Sequence, residues 1–384
     1  MKRSYLLVAV VVMVAALALA GVAAAAAGGT ATPRNDKASG DKVEIALTGL
    51  SAPAAGTVYV GWLVSADGAK KVNTGVLTVG ADGSANATFT SPSGENLVGL
   101  YAKFVVTAEK DADKAGTDPK GTTVLEAPGA PTLALVHVRH LVYQWDAAPN
   151  KTGLATGTLS QAQLASQHAN FALDAIKAGN LTLARTHAEH VVNIIEGSKG
   201  PNFGDVASLG AVQNPGDGFG LLEYAKATAQ HANLAMTTTD ASAYVKLHAV
   251  HVIDTANNVI DWATQARDKA LALAKATDIA TATPLATDMA KFADLAYKGN
   301  STKPVKGEGG AMTTYEHAQN MATFVVSTAA PATAPAAATT TAPAAAPTAL
   351  PKTGSELPLG LLVFGGLILV AVGTGVRYLA RRPS

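Results

Sequence analysis

Apolar positions in this chain follow three rules in succession. Between residues 42 and 127 they come in short runs, 43–47, 57–64, 74–79, 85–89, 101–108 and 124–125, separated by turns such as Ala66-Asp67-Gly68 and Ala81-Asp82-Gly83. The runs are rich in β-branched and aromatic residues, which predicts strands. Strands joined by tight turns predict an antiparallel β-sandwich. Between residues 131 and 327 the composition shifts to Ala, Leu, His, Asn and Thr, with apolar residues at helical spacing. That pattern predicts helices near 132–145, 159–178, 181–196, 219–237, 241–275, 284–298 and 312–327, an all-α helical bundle following the sandwich. The third rule is unbroken apolarity, at 5–20 and at 357–376. The second of these runs, about twenty residues long, predicts a C-terminal transmembrane helix.

The two apolar runs have informative flanks. Met1-Lys2-Arg3 precedes the first and small residues up to Ala27 follow it. A basic start, an apolar stretch and small-x-small sites such as Ala23-Ala24-Ala25 predict a signal peptide over residues 1–27, with the mature chain starting near Gly28. Residues 328–349, almost wholly Ala, Pro and Thr, predict a semi-rigid stalk. Leu350-Pro351-Lys352-Thr353-Gly354, the apolar run 357–376 and then Arg377, Arg381 and Arg382 complete the chain, so that residues 350–384 read as one signal.

Motif, helix and basic tail in this order resemble the LPxTG sorting signal of sortase substrates. The resemblance implies cleavage between Thr353 and Gly354 and transfer of Thr353 to an amine of peptidoglycan. It makes sortase and the cell wall the partners, with the membrane engaged through the C-terminal helix before sorting. The expected location is extracellular, at the cell surface, anchored in the wall or, if the tail is left uncut, in the membrane.

A second resemblance covers residues 42–127. Gly56-Thr57-Val58-Tyr59-Val60-Gly61-Trp62-Leu63-Val64, Thr74-Gly75-Val76-Leu77-Thr78-Val79, Phe104-Val105-Val106-Thr107-Ala108-Glu109 and Thr117-Asp118-Pro119 are similar to the extracytoplasmic C-terminal domain of anti-sigma-K factors. That family carries a zinc-associated domain and a membrane helix ahead of this one. Neither precedes residue 42 here, so the resemblance implies a fold and no sigma-factor regulation. The domain reads as a structural sandwich that presents its neighbour.

Composition removes whole classes of function. A formal net charge of +1 gives no basic excess for nucleic acid. With no cysteine, covalent c-type haem, iron–sulfur clusters, blue copper and thiolate zinc are excluded. No His-Glu-x-x-His helix, nucleophile elbow or phosphate loop occurs, and no enzymatic activity is expected.

The helical half contains an internal repeat, and it carries all nine histidines. Gln167-His168-Ala169-Asn170-Phe171-Ala172-Leu173 recurs as Gln230-His231-Ala232-Asn233-Leu234-Ala235-Met236, and His187-Ala188-Glu189-His190 recurs as His248-Ala249-Val250-His251. The unit is a helical hairpin with one His on its first helix and His-x-x-His on its second. His137-Val138-Arg139-His140 matches the second half of the unit and Glu316-His317-Ala318-Gln319-Asn320 the first, giving a third unit split between the ends of the domain.

Histidines spaced i,i+3 share a helix face. In a hairpin turning at Gly179-Asn180, His168 comes level with His190. In one turning near Thr239, His231 comes level with His248. The expected groupings are therefore His168 with His187 and His190, and His231 with His248 and His251; whether the split unit of His317 with His137 and His140 closes in space is left open by the sequence. Glu189, Glu196 and Asp254 are candidate completing or orienting carboxylates. Three neutral imidazoles between bundle helices suit zinc, copper or nickel. The His-Ala pairs on hairpins with a Gly-Asn turn also resemble small periplasmic metal-binding proteins built of histidine-rich helices. The alternatives are a structural or adhesive surface protein whose histidines ligate nothing, and a non-covalent haem b binder. A single haem needs ligands on opposite faces, which an i,i+3 pair cannot give.

Overall fold

A computed structural model of the chain describes residues 26–127 and 132–329. Nearly all of the predicted signal peptide and stalk, and the whole of the sorting signal with its apolar run, lie outside the described residues. Among the described residues no helix is long and apolar enough to cross a membrane.

The described chain forms strands β1 (Gly28–Arg34), β2 (Lys42–Thr48), β3 (Thr57–Val64), β4 (Lys71–Leu77), β5 (Ala85–Thr90), β6 (Lys103–Lys110), β7 (Thr122–Glu126) and β8 (Phe324–Thr328). The helices are α1 (Leu97–Leu100), α2 (Thr132–Val142), α3 (Leu154–Lys177), α4 (Leu181–Glu196), α5 (Leu221–Thr237), α6 (Ala243–Ala274), α7 (Ile279–Lys298) and α8 (Ala311–Met321). The class expected from the sequence, antiparallel β followed by α, is what is found, with departures in the sheet and at helix ends, among them a start at Leu154 for the helix expected from residue 159.

The strands make one antiparallel sheet of eight rather than two packed sheets, in the order β4-β3-β6-β7-β8-β1-β2-β5. The joining elements are β1 and β8. They pair with each other at Ala31↔Phe324 and bridge β2 to β7, closing what would be two half-sheets into a near-barrel. Its interior is filled by alternate residues: Val43, Ile45 and Leu47 of β2 point inward, while Lys42, Glu44 and Thr48 do not.

The last predicted helix, 312–327, ends at Met321. Phe324, Val325 and Val326 are better strand than helix formers, and β1 and β7 offer them partners. The helix expected from residue 284 starts at Ile279, because Asp278 caps it by accepting the N–H of Thr281 at 2.8 Å, leaving Pro284 inside.

Alanine lines the bundle's core, which lets the helices approach closely. Gly157 of α3 lies against the ring of Tyr224 on α5, where any Cβ would clash. Sheet and bundle belong to one compact unit. Arg139 on α2 donates to the carbonyls of Val98 and Tyr101 at 2.9 and 3.2 Å. Asn35, just after β1, accepts from Tyr315 and Gln319 on α8 at 2.9 and 2.8 Å. The sheet thus grips the first and last helices of the bundle, two of the helices that carry histidines.

Candidate metal centres

All nine histidines lie in three groups, each with one ring nitrogen per residue within 4.8 Å of the others: His168, His187 and His190; His137, His140 and His231; His248, His251 and His317. Every group has the composition the repeat predicts, one isolated His and one His-x-x-His pair. Only the first has the predicted members.

The first group is the α3–α4 hairpin. Gly179, with φ of +74°, reverses the chain, and Asn180 caps α4 by accepting the N–H of Leu183 at 3.0 Å. His168 Nδ1 then lies 3.1 Å from Nδ1 of both His187 and His190.

In the other two groups the partners are exchanged. His231 does not meet His248 and His251; its Nδ1 lies 3.3 Å from Nδ1 of both His137 and His140. His317 meets not His137 and His140 but His248 and His251, at 2.8 and 3.2 Å. Distance from a turn sets a residue's height along a helix, and its facing is set by which helix packs there. For α5 that helix is α2. Asp240, in the α5–α6 turn, accepts the N–H groups of Leu133 and Ala134 at 2.7 and 3.1 Å, so the start of α2 is pinned beside the end of α5 and His137 comes level with His231. For α6 it is α8. The buried Thr314 and Thr255 hydroxyls bond at 2.9 Å, one turn from His317 and His251, and Asn258 holds the incoming loop by donating to the carbonyls of Val305 and Gly309.

In each triad the convergent atoms are Nδ1. Such a cluster cannot satisfy itself. A neutral imidazole has one N–H, and an Nδ1 flanked by two others can donate to or accept from only one of them. A metal ion accepts all three lone pairs. With metal–nitrogen bonds of about 2.0–2.1 Å, separations of 3.1–3.3 Å correspond to N–metal–N angles of roughly 95–111°, and the 2.8 Å between His248 and His317 to roughly 84–89°. Among the described residues no carboxylate joins any triad.

Six of the rings are biased toward their neutral, ligating form. Burial, reinforced by the neighbouring imidazoles, depresses His168 and His231 to about 4. His248 and His317 are also held at about 4, by burial, by the imidazoles beside them and by the positive charge of Arg34. His140 and His187 are lowered by burial and by His137 and His190 respectively.

The expected carboxylates do not touch the triads. Glu189, fully buried, accepts the backbone N–H groups of Ala207 and Gln213 at 3.0 and 2.9 Å. Glu196 pairs with Arg267 at 2.7 Å and accepts from Asn202 at 2.9 Å. Glu189 acts indirectly, because the loop it holds brings the Gln213 side chain to Nε2 of His190, at 3.1 Å. Gln213, Asp240 and the aromatic residues beside the triads are site residues that the sequence does not flag. Trp145 packs edge-on to His140 and His231 with centroids at 4.8 and 4.7 Å. Phe171 contacts His168 and His187 at 5.6 and 5.4 Å, and Tyr244 contacts His248 at 4.6 Å.

No family model matches the chain, and neither a curated protein nor a solved structure matches it.

Proposed function

We propose that this is an exported, wall-anchored surface protein that binds transition metal ions, one at each of its three histidine triads. The observation that carries the metal reading is the convergence of three Nδ1 atoms on one point, repeated three times with the same one-plus-two composition. Convergence on a point suits a single ion better than a haem iron, whose axial ligands approach from opposite faces. Holding the rings neutral lets an ion bind with little competition from protons. The sheet serves as the scaffold that fixes α2 and α8, and so the second and third triads.

Export and anchoring are supported by the terminal sequences alone: the signal peptide of 1–27, the stalk of 328–349, Leu350-Pro351-Lys352-Thr353-Gly354 and the apolar run behind it. In this reading sortase joins Thr353 to peptidoglycan, and the stalk lifts the folded part off the membrane.

Metal analysis of untagged residues 26–329 after exposure to zinc, copper or nickel tests the binding. Three equivalents per chain are expected, and two in His187→Ala/His190→Ala; a metal-free chain in both forms would sink the reading. Fractionation of cells expressing the full chain tests the anchor. Thr353→Ala should move the protein out of the wall fraction, and unchanged wall attachment would refute sortase processing.

A further inference from the structure

The donor sets narrow the class of ion, given the metal-binding reading above. Every ligand atom is a neutral imidazole nitrogen, and no carboxylate among the described residues joins a triad. The loaded site therefore carries the whole charge of its ion. One ring of the second triad and one of the third, His231 and His248, are only 7% and 8% exposed, and the three rings of the first are half-buried. Desolvation cost grows with the square of the charge, so a divalent ion is penalised about four times as heavily as a monovalent one. At the third triad a further positive charge stands near, since Arg34 donates to Asn320, one helical turn beyond His317, at 2.8 Å.

Geometry points the same way. The isolated histidine sits close to both members of its pair, while the pair itself is splayed. Ring centroids are 5.9 Å apart for His137–His140 against 5.3 and 4.9 Å to His231. They are 5.4 Å apart for His187–His190 against 5.2 and 4.8 Å to His168, and 5.6 Å for His248–His251 against 5.0 and 4.6 Å to His317. Among the described residues no fourth histidine or carboxylate completes any triad. Zinc completes four ligands and nickel four or more, whereas copper(I) is satisfied with three. Each triad also has an aromatic ring against it: Trp145, Phe171 or Tyr244. Such a ring adds apolar surface beside the ligands, half-buried at Trp145 and Tyr244 and 51% exposed at Phe171, which favours an ion of lower charge.

We infer that the triads are copper(I) sites, each three-coordinate through Nδ1 and walled on one side by an aromatic ring. No redox step is involved, and the ion is bound as it is supplied.

The test is an anaerobic titration of residues 26–329 with copper(I), held by the chromophoric chelator bicinchoninate in ascorbate, followed by challenge with zinc. Three copper ions per chain are expected, with copper(I) preferred over zinc by about a hundredfold or more and X-ray absorption reporting three nitrogen ligands. Tryptophan emission from Trp145 should change as the second triad fills. His231→Ala should reduce the load to two and abolish that change. If that variant does not fold, His137→Ala at the same triad serves: it should likewise reduce the load to two and abolish the emission change. Three zinc ions that displace copper(I), or a four-coordinate copper, would overturn the inference and leave the metal-binding reading standing. A chain that takes neither ion would remove both.

Discussion

Gln213 accepts a hydrogen bond from Nε2 of His190 across 3.1 Å, and the backbone N–H of the same glutamine is held by Glu189, the residue just before that histidine. The bond keeps the ring proton on Nε2 and turns the Nδ1 lone pair toward His168. The tautomer that can ligate is therefore chosen before any ion arrives.

Gln213→Leu should accordingly weaken the first triad by roughly 10- to 100-fold while the other two keep their affinity. Gln213→Glu, which still accepts, should bind at least as tightly as the wild type. Chelator competition measures both, and equal affinities in all three proteins would show that Gln213 is only a surface contact.

The exchange of partners makes a prediction that the local hairpin arrangement does not share. His231→Ala should remove the site that contains His137 and His140 and leave His248 and His251 able to hold an ion with His317. Trp145 reports on this directly, since it packs on His140 and His231 and touches neither His248 nor His251. Its emission should respond to metal in His251→Ala and fail to respond in His137→Ala. The opposite pattern would restore the hairpin pairing.

What was legible in the sequence divides along one physical line. Local signals carried through: the turns at Ala66-Asp67-Gly68 and Gly179-Asn180, the strand at 57–64, the helix at 181–196, and the composition of each histidine group. What failed, apart from the local cap at Asp278, depended on contacts between residues far apart in the chain. β1 and β8 are separated by nearly the whole described chain, and only their pairing makes one sheet of two expected layers. His231 and His137 are 94 residues apart, and what joins them is Asp240, an ordinary turn residue in a Thr-Thr-Thr-Asp loop. Gln213 likewise lies in a loop of turn formers, with nothing local to mark it as a partner of His190. The terminal segments belong to neither group, because they lie outside the described residues.

Asp240 offers a direct test of that long-range control. Removing its carboxylate orphans the N–H groups of Leu133 and Ala134 at the start of α2. Asp240→Ala should cost about 1 kcal/mol in denaturant unfolding, as loss of a helix cap does. Because α2 is freed to slide against α5, the second triad should lose more affinity than the first and third. Asp240→Asn, which still accepts, should restore most of both. A uniform loss across the three sites would mean that Asp240 stabilises the fold without setting the register.

Acid should act on the metal-free protein through the same rings. Unfolded histidines titrate near 6.5, while His168, His231, His248 and His317 are held at about 4. Between those values the unfolded chain binds protons that the folded one refuses, so stability rises with pH across that window. This contribution is complete above about 6.5 and is lost as the pH falls toward 4. Carboxylates also titrate toward the lower end, so the informative quantity is a difference between proteins. Urea midpoints of chelator-stripped wild type, followed from pH 7.5 to 4, should fall more steeply than those of His168→Gln/His231→Gln/His317→Gln, in which the central ring of each triad cannot charge. A bound ion occupies the lone pairs that protons would take, so loading the wild type should move its decline to lower pH. If stripped and loaded wild type and the triple variant gave parallel curves, the rings would not be held neutral by burial and by one another, and the close approach of the three Nδ1 atoms would have no thermodynamic consequence.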